Sequence, residues 1–138
     1  MSNQAQFLRD HGVQPSAQRV AIAEYVLHTD AHPSADEVLA AVVKRFPMVS
    51  RATVYNTLNL FVEKGLLRQF ALTEGRVVFD ANTARHHHFI DVDTDKIYDV
   101  PWDQLTVSGA EDVPGFSVSE FQVVLRGKRQ RGGPKRRK

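Results

Sequence analysis

The sequence contains no cysteine. That excludes disulfides, thiolate metal clusters and cysteine redox switching, and it makes the cytoplasm the expected compartment. No long apolar run occurs either, so no segment is expected to cross a membrane. Residues 1–12 lack the apolar core of a signal peptide. No glycine-rich cofactor loop is evident, which weakens an enzyme reading from the start. What remains is 138 residues with 42% hydrophobic content, enough for one compact domain or two small ones.

Charge is scarce where it would balance and dense where it would not. Residues 126–138 carry eight Lys/Arg and no acid, whereas residues 77–125 carry nine acids against Arg85 and Lys96. The first 76 residues are nearly neutral, so the net charge of +2 conceals an acidic middle and a basic end. A polyanion would be repelled by the middle and attracted by the end. Any nucleic-acid contact is therefore expected in the first half, in the tail, or in both.

The acidic middle holds three consecutive histidines, His86, His87 and His88, with Asp80 six residues before them and Asp99 eleven after. Side chains of a strand alternate faces, so in a strand His86 and His88 share one face and His87 takes the other. Two imidazoles side by side with carboxylates nearby suit divalent iron, manganese or zinc, and lack the soft donors that select copper(I). The ordinary alternative is a solvated histidine run beside a turn. Asp91, Asp93 and Asp95 imitate the start of a calcium loop, but Lys96 and Trp102 occupy the positions of its glycine and its final glutamate, so that motif is declined.

In chain order, a first helix is expected over 3–11, closed near Gly12. Ser16 is a candidate N-cap for a second helix with Val20, Ala23, Val26 and Leu27 at helical spacing. Ser34 to Glu37 reads as a capping box, with Val38, Leu39, Val42 and Val43 as a buried stripe and Pro47 as the stop. Ser50 caps a helix over 50–64, whose core face is Val54, Leu58 and Phe61 and whose terminator is Gly65. Its other face offers Arg51, Thr53, Tyr55 and Asn56 rather than a lysine/glutamate lattice, and such side chains contact phosphates and base edges. Strands at 66–72 and 76–80, joined at Glu74-Gly75, complete the order of a winged helix-turn-helix, in which the capped helix enters the major groove.

Beyond Asp80, strands are expected at 86–93 and 96–100, a short helix within 101–110, and a third strand within 115–125. So small a sheet is marginal alone, which predicts a homodimer. The tail has no periodicity and is expected to be disordered, attracting phosphate without regard to sequence.

The segments HPSADEV, ATVYNTLNLF, VVFD and HHHF, in this order and spacing, resemble the ferric uptake regulator family over roughly residues 5–127. The resemblance implies an α+β chain. It implies that residues 1–80 form a winged helix-turn-helix DNA-binding domain, 81–84 a hinge and 85–127 a small α/β dimerisation and metal-sensing domain, with 128–138 left as a basic tail expected to be disordered. It implies one regulatory metal per subunit, held by His32, Asp80, His86, His88 and Asp99. That metal is Fe(II) or Mn(II), with Zn(II) able to substitute in vitro. It implies a double-stranded DNA operator, palindromic and AT-rich, read by a homodimer through Arg19, Arg51, Thr53, Tyr55, Asn56 and Arg76.

The departures are specific. Most members carry CxxC pairs that hold a structural zinc, whereas this chain has Asp91 and Thr94 at the first pair and the basic tail at the second. No structural zinc is therefore expected. Phe121 stands where a further family metal site uses histidine, and Gln14 where relatives often place a lysine for the minor groove.

Asp99 and Asn56 resemble the peroxide-sensing branch, in which Fe(II) and hydrogen peroxide convert a ligating histidine to 2-oxo-histidine. His32 and His86 are the oxidation-sensitive positions there, and Mn(II) gives a peroxide-insensitive repressor. The lack of cysteine and the run FDANTARHHHF also resemble the haem-responsive branch, with His87 as the extra player. Peroxide, haem or iron status, and manganese thus remain as signals. A non-haem iron enzyme is the distant alternative, and it would need a substrate pocket in addition to a DNA-reading unit.

Overall fold

The computed structural model describes residues 3–73 and 75–130, and it divides into two compact units, one ending at Ala84 and the other beginning at Arg85. The turn residue Glu74 and the tail from 131 onward lie outside the described residues.

The N-terminal unit is built from helices α1 (Asn3–Asp10), α2 (Ala17–Val26), α3 (Ala35–Val42) and α4 (Arg51–Glu63) and strands β1 (Arg68–Thr73) and β2 (Arg76–Asp80). The caps explain the boundaries. Ser16 Oγ accepts the Arg19 N–H, and Ser34 and Glu37 form the full reciprocal capping box. Ser50 Oγ accepts the Thr53 N–H at 3.0 Å. At the far end of α4, Leu66 N–H reaches Phe61 O and Gly65 N–H reaches Val62 O, with Gly65 at φ +79. That is the six-to-one, five-to-two closure for which glycine's left-handed backbone is suited.

Val54, Leu58 and Phe61 are fully buried and meet Ile22, Val26, Val38, Val42 and Leu67 in one core. Sinking each such side chain contributes roughly 1.5–3 kcal/mol, so the helical stripe decides how α4 is seated. Helix α3 stops at Val42, short of the stop expected at Pro47. Residues 43–45 continue as a turn, with Phe46 N–H still bonded to Val42 O. Proline disfavours helical backbone at the residue before it, so the chain has to unwind ahead of Pro47. Strands β1 and β2 pair antiparallel with an irregularity between Ala71 and Thr73, forming the wing.

The C-terminal unit contains β3 (His86–Asp91), β4 (Ile97–Pro101), a single 3-10 turn (Trp102–Gln104) and β5 (Val124–Gly127). The sheet order is β4-β3-β5, with β4 antiparallel and β5 parallel to β3. The short helix expected within 101–110 is that one turn. The third strand is much shorter than expected: pairing begins at Val124, and residues 116–123 are not strand. Alternation over 115–125 identifies an apolar edge, but a strand also needs a partner edge, and β3 offers one only opposite residues 124–127. The turn 92–96 is a hairpin connection, as its rejection as a calcium loop requires. Asp93 N–H bonds Asp91 Oδ1, and Asp95 is at φ +66. Among the described residues, Ile90 and Ile97 are the buried aliphatic side chains of this unit, while Val92, Phe116 and Leu125 are exposed.

Candidate metal centre and DNA-reading face

Two groups of candidate ligands form, one in each unit. In the N-terminal unit, Phe79 N–H bonds Pro33 O at 2.9 Å, tying the 29–33 loop to β2. That tie sets His32 beside Asp80, with Nε2 to Oδ2 at 3.2 Å. The other carboxylate oxygen, Oδ1, accepts the Asn82 N–H at 2.9 Å, so the carboxylate is held at both ends. His32 is at φ +53, the left-handed region, where a non-glycine residue costs about 1–2 kcal/mol. Such strain persists where surrounding structure enforces it, and it marks functional positions more often than ordinary loops.

In the C-terminal unit, the register pairs His88 with Asp99 across β3 and β4. His86 and His88, two residues apart, share a face with ring centroids 4.7 Å apart. Asp99 Oδ1 lies 3.3 Å from His86 Nε2 and 3.7 Å from His88 Nε2. The ligand atoms of these three residues lie within 4.8 Å of one another. Donors around a first-row ion at roughly 2.1 Å stand roughly 3–4 Å apart, so this set fits a divalent ion with little movement. The donors are nitrogen and oxygen alone, which agrees with Fe(II), Mn(II) or Zn(II).

His87 takes the opposite face, as strand alternation requires. It is buried and stacks on Trp102 at 4.4 Å and 15°. Arg85 covers Trp102 in turn, its guanidinium 3.8 Å from the ring centroid. His87 Nδ1 accepts the Val123 N–H at 2.9 Å, and the ring also hydrogen-bonds the Trp102 main chain. Burial holds this imidazole below the ordinary histidine value, against the opposing effect of the Trp102 hydrogen bond, while His86, His88 and Arg85 lower it further. His87, the residue linked to haem by resemblance, is thus committed to the interior of its unit on both ring nitrogens. His87→Ala is expected to cost about 2–4 kcal/mol, because it leaves a cavity beside Trp102 and orphans the Val123 N–H. Thermal unfolding followed by Trp102 fluorescence checks this; a midpoint unchanged from wild type would refute the structural role.

Of the candidate DNA contacts, Arg51 and Tyr55 meet on the outward side of α4. Arg51 Nη1 lies 2.6 Å from Asp36 Oδ1 and Nη2 lies 3.0 Å from Tyr55 Oη, while Tyr55 Oη donates to Asp36 at 3.2 Å. The guanidinium also lies 4.9 Å from the tyrosine ring centroid. Asn56 is exposed beside them, and Thr53 Oγ1 accepts the Ser50 hydroxyl. Arg19, on α2, donates to Gln14 O at 2.8 Å, and Arg76 is half-buried at the start of β2. Three participants are not visible to motif reading: Asp36, Trp102 and Gln122. Gln122 Oε1 lies 2.7 Å from His88 Nδ1, across 34 residues of sequence.

Residues 10–126 match the ferric uptake regulator family. The chain is 37% identical over 122 residues to the peroxide operon regulator of Bacillus subtilis strain 168, covering 87% of this chain and 84% of that one. It is 34% identical to the peroxide-responsive repressor PerR of Staphylococcus epidermidis, covering 87% and 81%. Its fold superposes on the Pseudomonas aeruginosa ferric uptake regulator with manganese at a TM-score of 0.68, with 26% identity, covering 94% of this chain and all of that one.

Proposed function

The chain belongs to the ferric uptake regulator family, and from that premise we propose that it is a metal-dependent DNA-binding repressor that senses hydrogen peroxide. It is a transcription regulator rather than an enzyme. The observation that carries the reading is the pair of ligand groups, His32 with Asp80 and His86 with His88 and Asp99, each preassembled within its own unit. The resemblance assigns all five to one ion. A ligand set drawn from two units makes the ion a differential contact: only the posture that satisfies every ligand gains its full binding energy, and that is what coupling of metal to DNA affinity requires.

The peroxide reading rests on the named relatives and on Asp99 and Asn56. A bound Fe(II) would supply one electron to cleave hydrogen peroxide beside its own ligands, leaving the second oxidising equivalent for a ligand histidine, and Mn(II) would do so poorly. His32 and His86 are the proposed oxidation-sensitive ligands. DNA contact is assigned to Arg51, Thr53, Tyr55 and Asn56 on α4, to Arg19 on α2 and to Arg76 on the wing, on a palindromic operator read by a homodimer. The dimer is supported by the small aliphatic core of the C-terminal unit, Ile90 and Ile97 among its described residues, and by the exposed Val92, Phe116 and Leu125. The basic tail adds phosphate attraction that does not depend on sequence.

The test begins with duplexes selected from a random pool by the Mn(II)-loaded protein. Chelation is expected to lower affinity for the selected duplex roughly 5–150-fold, the usual range of allosteric coupling, and Mn(II) to restore it. Equal affinity with and without chelator would overturn metal dependence.

A further inference from the structure

Resting on the metal-dependent reading above, we propose that Gln122 is the positioning residue of the metal centre: it fixes the His88 ring so that Nε2 is the nitrogen offered to the ion. The geometry begins with a division of labour between adjacent residues of one segment. Val123 donates its N–H to His87 Nδ1 at 2.9 Å, which makes that nitrogen an acceptor and leaves the His87 proton on Nε2. Gln122 sets its side-chain oxygen 2.7 Å from His88 Nδ1, which makes that nitrogen the donor and leaves His88 Nε2 with a lone pair. The segment 122–123 thus holds two neighbouring imidazoles in opposite tautomers. It is itself anchored to β3, because His88 N–H bonds Val123 O at 3.1 Å.

The consequence falls on the side of His88 that faces Asp99. His88 Nε2 lies 3.7 Å from Asp99 Oδ1, on the same face as His86. A metal-ligating imidazole must present an unprotonated nitrogen, and an acceptor on its other N–H selects that tautomer, fixes the ring plane and raises ligand basicity. His88 is fully buried, so no water substitutes easily for Gln122 at Nδ1. Glutamine at 122 is therefore a choice with chemical content. A carboxylate there would make His88 a stronger donor, and an aliphatic side chain would leave the His88 N–H without its acceptor.

The experiment compares wild type with Gln122→Leu and Gln122→Glu, all full length. Nitrogen-15 NMR of the histidine rings in metal-free protein reads the tautomers directly, and EPR of free Mn(II) during titration reads affinity. Wild type is expected to show His87 protonated on Nε2 and His88 on Nδ1. Gln122→Leu is expected to lose the single His88 tautomer and to bind Mn(II) roughly 10–100-fold more weakly. His87, held by the Val123 main chain, should keep its tautomer in that variant and so report that the segment is still folded. Gln122→Glu, which retains the acceptor, should bind Mn(II) at least as tightly as wild type. Wild-type affinity in Gln122→Leu, or equal weakening by Leu and Glu, would overturn the role of Gln122 while leaving metal dependence intact. A wild-type protein that takes up no Mn(II) would overturn the metal reading and the positioning role together.

Discussion

A brief, low dose of hydrogen peroxide is expected to release the Fe(II)-loaded protein from DNA and to leave the Mn(II)-loaded protein bound. The loss should match the loss on chelation, roughly 5–150-fold in affinity, because both treatments remove the same coupling. Tandem mass spectrometry should find one added oxygen atom on the peptide containing His32 or His86 and none on the peptides of Mn(II)-loaded protein. Loss of DNA by both forms would point to damage independent of the metal, and retention by both would end the peroxide reading.

The expectation that His32 and His86, rather than His88, carry the oxygen has a structural side. All three histidines are buried, so burial does not separate them, but the second ring nitrogen of His88 meets Gln122. His86 is the first residue of β3, and His32 occupies a loop at positive φ. An oxygenated imidazole is a weaker base and a poorer ligand. A change of one ring is enough to shift a two-posture equilibrium, provided the ion binds one posture much more tightly than the other. A regulator built this way needs no cysteine, and the chain has none.

Much of this architecture can be read from local signals, because those signals act over a few residues. The Ser34–Glu37 capping box, the Ser50 cap and the Gly65 stop operate within one helical turn, and each lies where the residues place it. The facing of His86 and His88 follows from strand alternation alone, and the short turn after Asp91 brings Asp99 opposite His88. The pairings that escape motif reading are those set by register between distant segments. Gln122 reaches His88 over 34 residues, Val123 reaches His87 over 36, and Arg51 reaches Asp36 over 15. Local pattern also overstates β5. Alternation over 115–125 says which side chains are apolar but not whether a neighbouring edge exists to pair with them, and pairing begins only at Val124. Phe116, at the start of that alternating stretch, is 74% exposed, as expected of an apolar residue left without a sheet beneath it.

His32→Ala should abolish most of the metal dependence of DNA binding while leaving the N-terminal unit folded. Removing an outer-shell partner typically costs roughly 10–100-fold in metal affinity, and removing a ligand should cost at least that much. The stability effect needs a control, because His32 is at φ +53, and alanine is no better suited to that backbone than histidine. His32→Gly relieves the strain yet also lacks the imidazole. If His32 is a ligand, both variants lose metal dependence equally. Their thermal midpoints should separate, with the glycine variant the more stable by about 1 kcal/mol. If His32 serves only to shape the loop beside Asp80, the two variants differ in function as well: glycine restores DNA binding and alanine does not. Metal titrations of the two variants, read by Mn(II) EPR and by DNA affinity, therefore separate a ligand from a structural residue at the one candidate ligand that is held in a strained conformation.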